Sequence, residues 1–478
     1  MGVETTNPEY KKLASKWKRC RDTAEGQDAV HEAGELYLPR LKDQSWDDYC
    51  AYKARAGFFN ATWRTIAGLQ GMLFRKPPIV AVPSNIEPLL ASISENSQSL
   101  QIFALDVVEE CLTVGRVGIL VDYPVVAEEG VTQADAVLLN LRPSLSLYET
   151  ESIINWSEKT VSSQKVLIRV VLKEDRNVVD PNDEFSEKCE PVYRVLDLVN
   201  GVYRVRLFVK ADSSPDGGQF LQEGGDIFPK LNNQPLNFIP FFFLGVDDSE
   251  ACPDDPPLID LVDLNLSHYR TNADYEHGCH FTGLPTGWIA GHTMEQGDKI
   301  YLGSQSMLVF PNPDTKVGFL EFSGAGLKCL SDNLERKEKQ MAVLGARMLE
   351  TQKKGIEASD TLLLRQAGET SLLASMAQSI SIGMQKALQV FSDWAGGSGE
   401  VIFELNRDFF PKTLAPAELT ALVTSWQYGA ISKETLFENL KQAEVISDDK
   451  TFEEQETEIA NSAPTLAGAM DQAAGNNG

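Results

Sequence analysis

Apolar positions in the first 75 residues recur at helical spacing. From Tyr52 to Leu73, the side chains Tyr52, Phe59, Trp63, Ile66 and Leu73 fall on one stripe. This predicts a single amphipathic helix, stopped by Pro77 and Pro78. Residues 85–113 also read as helical, and GRVGILVDYP reads as a short buried strand. The period then changes to two. KVLIRVVLK places Val166, Ile168, Val170 and Leu172 on one face. PVYRVLDLVNGVYRVRLFVK holds two alternating runs joined at Asn200 and Gly201, a hairpin signal. The stretch 212–225, rich in serine and glycine around Pro215, reads as a loop, and NFIPFFFLG as one more buried strand.

After Asp254 the helical period returns. Asp254 or Asp255 is a candidate cap, Pro256 and Pro257 suit a first turn, and Asp260 and Asp263 suit its positive end. The helix is expected over 256–281, about 38 Å at 1.5 Å per residue, ended by Gly283 and Pro285. GWIAG, SMLVF and KVGFLEF are β-like pieces. A helix over 324–350 follows, with Leu327, Leu330, Leu334, Met341, Leu344 and Met348 on a narrow seam interrupted by Lys337. KKGIE, 353–357, reads as a loop. A helix over 359–394 is expected to span about 54 Å, with Gly383 as a possible bend. VIFEL reads as a strand, 417–446 as two short helices, and the chain beyond Ser447 as a disordered tail. Three long helices with narrow apolar stripes suit side-by-side packing of repeated copies, and a head-to-tail contact whose rotation closes makes a ring.

Charge alters this picture. The 478 residues carry 69 acids against 43 bases, a net charge of −26. Such a field disfavours general nucleic-acid binding and adhesion to an anionic membrane. Yet no acid occurs from Tyr49 to Ile86, and Lys53, Arg64 and Arg75 stand eleven residues apart, which predicts a cationic stripe. It is either a solvated edge or a seam against an acidic surface of another chain. Seven scattered cysteines without CxxC spacing read as reduced thiols. MGVETTNPEYKK has no apolar h-region, so no signal peptide is expected. Gly2 and Thr6 fit a myristoylation pattern with no second membrane signal beside it.

Catalytic motifs are missing. GxxxxGK[ST], HExxH, GxSxG, GxGxxG and an EF-hand loop do not occur. His268, His277, Cys279 and His280 include zinc-ligand types, but on a helix Cys279 points away from the line joining His277 and His280, so packing is the preferred reading. Asp247 with Asp248, and Asp254 with Asp255, read as caps and turns rather than hydrolase carboxylates. No catalytic residue, metal site or cofactor is expected.

The order of four segments resembles the portal proteins of tailed bacteriophages, the head-to-tail connector family, over nearly the whole chain. They are YCAYKARAGFFNATWRTIAGLQGMLFRKPP (49–78), PPLIDLVDLNLSHYRTNADYEHGCHFTGLPTGWIAG (256–291), DNLERKEKQMAVLGARML with the helix after it, and WQYGAISKETLFENL (426–440). The resemblance implies an α+β portal fold with a mixed α/β wing at 1–255, a first stem helix at 256–283 and a small β-containing clip at 284–322. A second stem helix follows at 323–350, then tunnel loop, long tunnel helix and returning wing strand at 351–407, and a helical crown with an acidic tail at 408–478.

It also implies a dodecameric ring at one capsid vertex of the virion, assembled in the host cytoplasm. Double-stranded DNA would pass through it without sequence specificity during packaging and ejection. The implied partners are the terminase large subunit, a head–tail adaptor, and the major capsid and scaffolding proteins, with no membrane. Twelve copies would carry a charge on the order of −300, which discourages duplex from adhering to the wall. Lys353, Lys354 and Gly355 are the DNA-tunnel candidates. Lys53, Arg64, Arg75, Leu327, Leu334 and Met341 are the subunit-interface candidates. The alternative is an acidic hydrolase or a metal-dependent enzyme using His277 and His280. A head–tail adaptor fits less well, being usually much shorter.

Overall fold

Asn200 and Gly201 both adopt left-handed backbone, φ 52° and 79°, and close a two-residue turn between the paired residues Val199 and Val202. Two positive φ angles match the right-handed twist of the flanking strands, which is why Asn-Gly serves there. Ser162 and Ser163, φ 48° and 69°, build the same kind of turn between Val161 and Gln164. Serine carries no comparable signal, so this second hairpin was not legible.

The computed structural model describes residues 2–124, 141–180, 183–210, 220–231, 234–283, 286–291, 312–320, 325–346, 371–409, 414, 416–447 and 450–462. It is α+β and divides into two compact units, 1–407 and 408–478. In the first unit the helices are α1 Pro8–Glu25, α2 Gln27–Glu32, α3 Trp46–Arg55, α4 Ala61–Leu73, α5 Leu100–Val114, α6 Ile259–Gly283, α7 Ala325–Ala346 and α8 Leu372–Trp394. The strands Ile153–Val161, Gln164–Asp180, Asp183–Val199, Val202–Lys210 and Phe220–Ile227 form an antiparallel meander in chain order. Phe220–Ile227 corrects part of the loop expected over 212–225. Its residues complete the sheet by pairing with Val202–Lys210.

A three-stranded antiparallel sheet joins Phe241–Gly245, Arg116–Asp122 and Ser144–Glu149 in that spatial order. Helix α8 packs on it. Burial explains the strand Arg116–Asp122, whose first six residues are all inside. Arg116 is itself buried, its guanidinium 4.4 Å from the Trp156 ring centroid and 5.1 Å from that of Phe243. It donates to Thr150 Oγ1 and the Ala251 carbonyl, and desolvation pulls its pKa down to about 9.

Three expectations fail here for stated reasons. The single helix over Tyr52 to Leu73 is two helices, because Ala56 is extended and Asn60 caps α4 by accepting from Trp63 N–H. The cationic stripe breaks with it: Lys53 lies on α3, Arg64 on α4, and Arg75 beyond the C-terminus of α4. Second, α8 begins at Leu372, since extended Ser371 caps it by accepting from Ala374 N–H at 3.2 Å. Its 23 residues are broadly buried rather than narrow-striped, and the expected stretch 359–370 lies outside the described residues. A Cβ on Gly383 would come within 2.6 Å of Leu244 Cγ, so this glycine allows close approach to the sheet.

The third failure is in the second unit. Its helices are α9 Pro416–Gln427, α10 Lys433–Gln442 and α11 Phe452–Ser462, so the chain beyond Ser447 is not wholly a disordered tail. Thr451 and Glu454 make a reciprocal capping box. Thr451 Oγ1 accepts from Glu454 N–H at 3.2 Å, and Glu454 Oε2 accepts from Thr451 N–H at 2.9 Å. Phe452 packs edge-on against Phe437 at 5.5 Å.

Candidate functional site: a two-helix arm

The arm consists of α6, α7 and an antiparallel ribbon whose strands Thr286–Ala290 and Lys316–Leu320 lie between them in the chain. GWIAG and KVGFL thus form strands as expected, while SMLVF and Met348 lie outside the described residues. Helix α6 is rooted in the N-terminal core, where Val262, Leu266, Tyr269 and Ala273 share a cluster with Trp17, Tyr49 and Tyr52. Asn265, fully buried, ties this root to α4. Its Oδ1 accepts from Ala61 N–H, Thr62 N–H and Thr62 Oγ1–H, and its Nδ2 donates to Phe59 O at 2.8 Å. Arg19 pairs with Asp263 at 2.7 Å on the surface of the same joint.

The seam of α7 faces α6. Leu334 and Met341 are buried there, Leu327 and Leu330 half-buried. Leu327 sits over Gly278, where a Cβ would come within 2.5 Å of its Cδ2. Of the interface candidates, Leu327 thus meets α6 of its own chain, and Leu334 and Met341 are already buried within one chain. Lys337 lies in the same seam, and Nζ donates to Ser267 O at 2.8 Å, Ser267 Oγ at 2.9 Å and Thr271 Oγ1 at 2.6 Å. Burial, followed by the charges of Arg270 and Arg336, lowers its pKa. Ser267, Thr271 and Asn265 carry no signal in the sequence, because nothing local marks a serine, threonine or asparagine as a partner of a distant helix.

Outside the seam α7 is polar. Glu335 pairs with Lys339 one turn on at 2.5 Å, and Arg336 donates to Asn333. In the ribbon, Trp288 lies across Gly318, while Val317 and Phe319 on the other face are 47% and 56% exposed.

The histidines pack rather than converge. His268 is buried with Nε2 3.4 Å from Glu338 Oε1 and its ring beside Phe59. His277 meets Tyr52 and Phe281 edge-on at 5.2 and 4.6 Å, and His280 lies 5.8 Å from Phe281. Among the described residues no group of three or more His, Cys, Asp or Glu could hold a metal ion. A cleft of about 380 Å³ is lined by Arg21, Glu25, Trp63, Glu109 and Glu110. Arg21 spends its guanidinium there on two-pronged bonds to Glu110 and Glu151, all between 2.6 and 2.9 Å. Burial nevertheless raises the Glu110 pKa.

Of the cationic candidates, Lys53 donates to His31 O at 2.9 Å and so serves the fold. Arg64 is exposed and stands 5.6 Å over the Phe59 ring. Arg75 is half-buried. Lys353, Lys354 and Gly355 lie outside the described residues. Among the described residues no helix is long and apolar enough to cross a membrane.

A family model described as "Domain of unknown function (DUF4055)" matches residues 257–395. No curated protein matches the chain. Similar solved structures include a chain from the neck of an empty GTA particle computed with C6 symmetry, at 11% identity and TM-score 0.39, covering 79% of this chain and 88% of that one. Another comes from the neck of the native GTA particle computed with C12 symmetry, at 12% identity and TM-score 0.36, covering 85% and 97%. A third comes from the virion of the native gene transfer agent particle, at 11% identity and TM-score 0.37, covering 84% and 95%. TM-scores in this range do not establish a common fold.

Proposed function

We propose that the chain is a portal subunit of a tailed-phage-like particle, a non-catalytic ring that conducts double-stranded DNA through one capsid vertex. The observation that carries this reading is the arm. Helix α7 buries one line of side chains against α6 and exposes charged faces on its remaining circumference. A slender helical hairpin of this kind, ending in a two-stranded ribbon with exposed apolar side chains, gains cover from sibling copies around an axis. On this reading α6 and α7 are stem helices, the ribbon belongs to the clip, α8 follows the tunnel loop, and 408–478 is the crown.

The charge fits the role. A net charge of −26 per copy repels duplex from the tunnel wall, so DNA slides with little adhesion. Lys353 and Lys354 would be local cations at the loop. The clip would dock the terminase large subunit, whose ATPase supplies the work, and later the head–tail adaptor. The major capsid and scaffolding proteins would hold the ring in the vertex.

Native mass spectrometry and negative-stain imaging of the full chain test the proposal. The expected result is an annulus of about twelve copies with a central hole. A compact monomer or dimer at every salt concentration would overturn it.

A further inference from the structure

Leu327, Leu330, Leu334, Lys337, Met341 and Leu344 are spaced 3, 4, 3, 4 and 3 residues apart. If α7 slides along α6 by one turn, about 5.4 Å, Leu330, Leu334 and Leu344 enter apolar slots their neighbours left, Met341 takes that of Lys337, and Lys337 takes that of Leu334. Leu330 then replaces Leu327 over Gly278. The apolar seam by itself therefore does not choose between the two registers. Lys337 does, with a smaller share from Glu338, whose Oε1 lies 3.4 Å from His268 Nε2 across the same helices. In the observed register the lysine's three acceptors come from Ser267 and Thr271, one turn apart on α6.

One turn farther along the same face stands Asp274. It is exposed, it accepts Tyr52 Oη–H at 2.6 Å through Oδ1, and its charge already favours the Lys337 ammonium. A step of α7 in that direction exchanges the Ser267 acceptors for Asp274 while keeping Thr271. Arg270 and Arg336 oppose the lysine's charge where it now sits.

We propose that Lys337 is the pawl of a one-turn ratchet between α6 and α7, held by Ser267 and Thr271 in one register and by Thr271 and Asp274 in the other. A single polar residue set in an apolar helical seam, here the half-buried Lys337, is the best-attested means of selecting register, and one-turn steps between packed helices are an established way to switch. The device is a property of one chain and stands whether or not the ring reading does.

Disulfide trapping tests it, with Cys279 and Cys329 replaced by serine throughout and products read by peptide mass spectrometry. The pair Gly278→Cys with Leu327→Cys reports the observed register. The pair Gly278→Cys with Leu330→Cys, carrying Leu327→Ala so that the new Cβ meets no Cδ2 in the observed register, reports the shifted one. With Lys337 present, the shifted pair is expected at less than about a tenth of the yield of the first. Lys337→Met, with Glu338→Ala to remove the His268 contact as well, should bring the two yields to within about threefold, because the register-specific polar contacts are lost while the apolar length is kept. Ser267→Ala should raise the shifted yield with Lys337 in place, and adding Asp274→Asn should reverse that rise. A Lys337→Met, Glu338→Ala protein that still forms only the 278–327 bond would overturn the proposal. So would a Ser267→Ala response that ignores Asp274→Asn. The Ser267→Ala arm leaves the lysine intact, so a folding failure of the Lys337→Met, Glu338→Ala protein does not remove the test.

Discussion

Asn265 Oδ1 accepts both the backbone N–H and the hydroxyl of Thr62, each at 3.1 Å, with no solvent exposure at Asn265. The asparagine of one helix thereby caps the first turn of another more than 200 residues earlier in the chain. Asn265→Ala would orphan buried donors at that turn and leave Phe59 O without its partner. It is expected to lower stability by about 3 kcal/mol in urea unfolding. Asn96→Ala, at an exposed asparagine, should shift the midpoint little. An equal effect of the two substitutions would refute the role given to Asn265.

His268 predicts a pH dependence. Burial lowers its pKa below 6.5, and Glu338 only partly offsets that. The unfolded chain therefore takes the proton near pH 6.5, and the folded chain only at lower pH. The stabilising contribution is present above that value and is lost as pH falls through it, levelling off once the lowered folded value is passed. His268→Gln should flatten the stability profile between about pH 7.5 and about pH 5.5. Parallel profiles for the two proteins would count against this.

Gly383 predicts an overpacked variant. A Cβ there meets Leu244 Cγ at 2.6 Å, and Leu244 is fully buried, so it has little room to give way. Gly383→Ala is expected to destabilise by about 1–3 kcal/mol, despite the better helix propensity of alanine. Adding Leu244→Ala should recover part of that cost, seen as a favourable coupling in a double-mutant cycle. A stabilised Gly383→Ala protein would mean the glycine serves a bend instead.

Thr451 predicts a local effect in the second unit. Thr451→Val removes the hydroxyl that accepts Glu454 N–H. Amide exchange over 452–462 should accelerate while the first unit keeps its protection. The Glu454 pKa is lowered first by the backbone hydrogen bond from Thr451, so the cap should also weaken as pH falls through that lowered value. Exchange unchanged by both treatments would remove the capping box from the account.

Local chemistry made much of the fold legible. Asn200 and Gly201 set their turn because both tolerate the positive φ it requires, and alternation over Val170 and Leu172 marked a strand whose inner face is buried. TFEE spells a capping box, but the acidic, weakly apolar composition after Ser447 masks the helix it opens. The seam of α7 was also written in order, with Lys337 visible as its one interruption.

By itself the sequence determined which residues repeat at 3.6 and which at 2, and hence the type of most elements. The tertiary structure decided where one helix became two, which stripe met which surface, and what each charge was for. Lys53 entered the picture as part of a cationic stripe and ends on the His31 carbonyl. Lys337 looked like a flaw and has three acceptors. The physical reason is range. Backbone propensity acts over a few residues and can be read in line, whereas the partners of a buried polar group are set by packing between segments far apart in the chain.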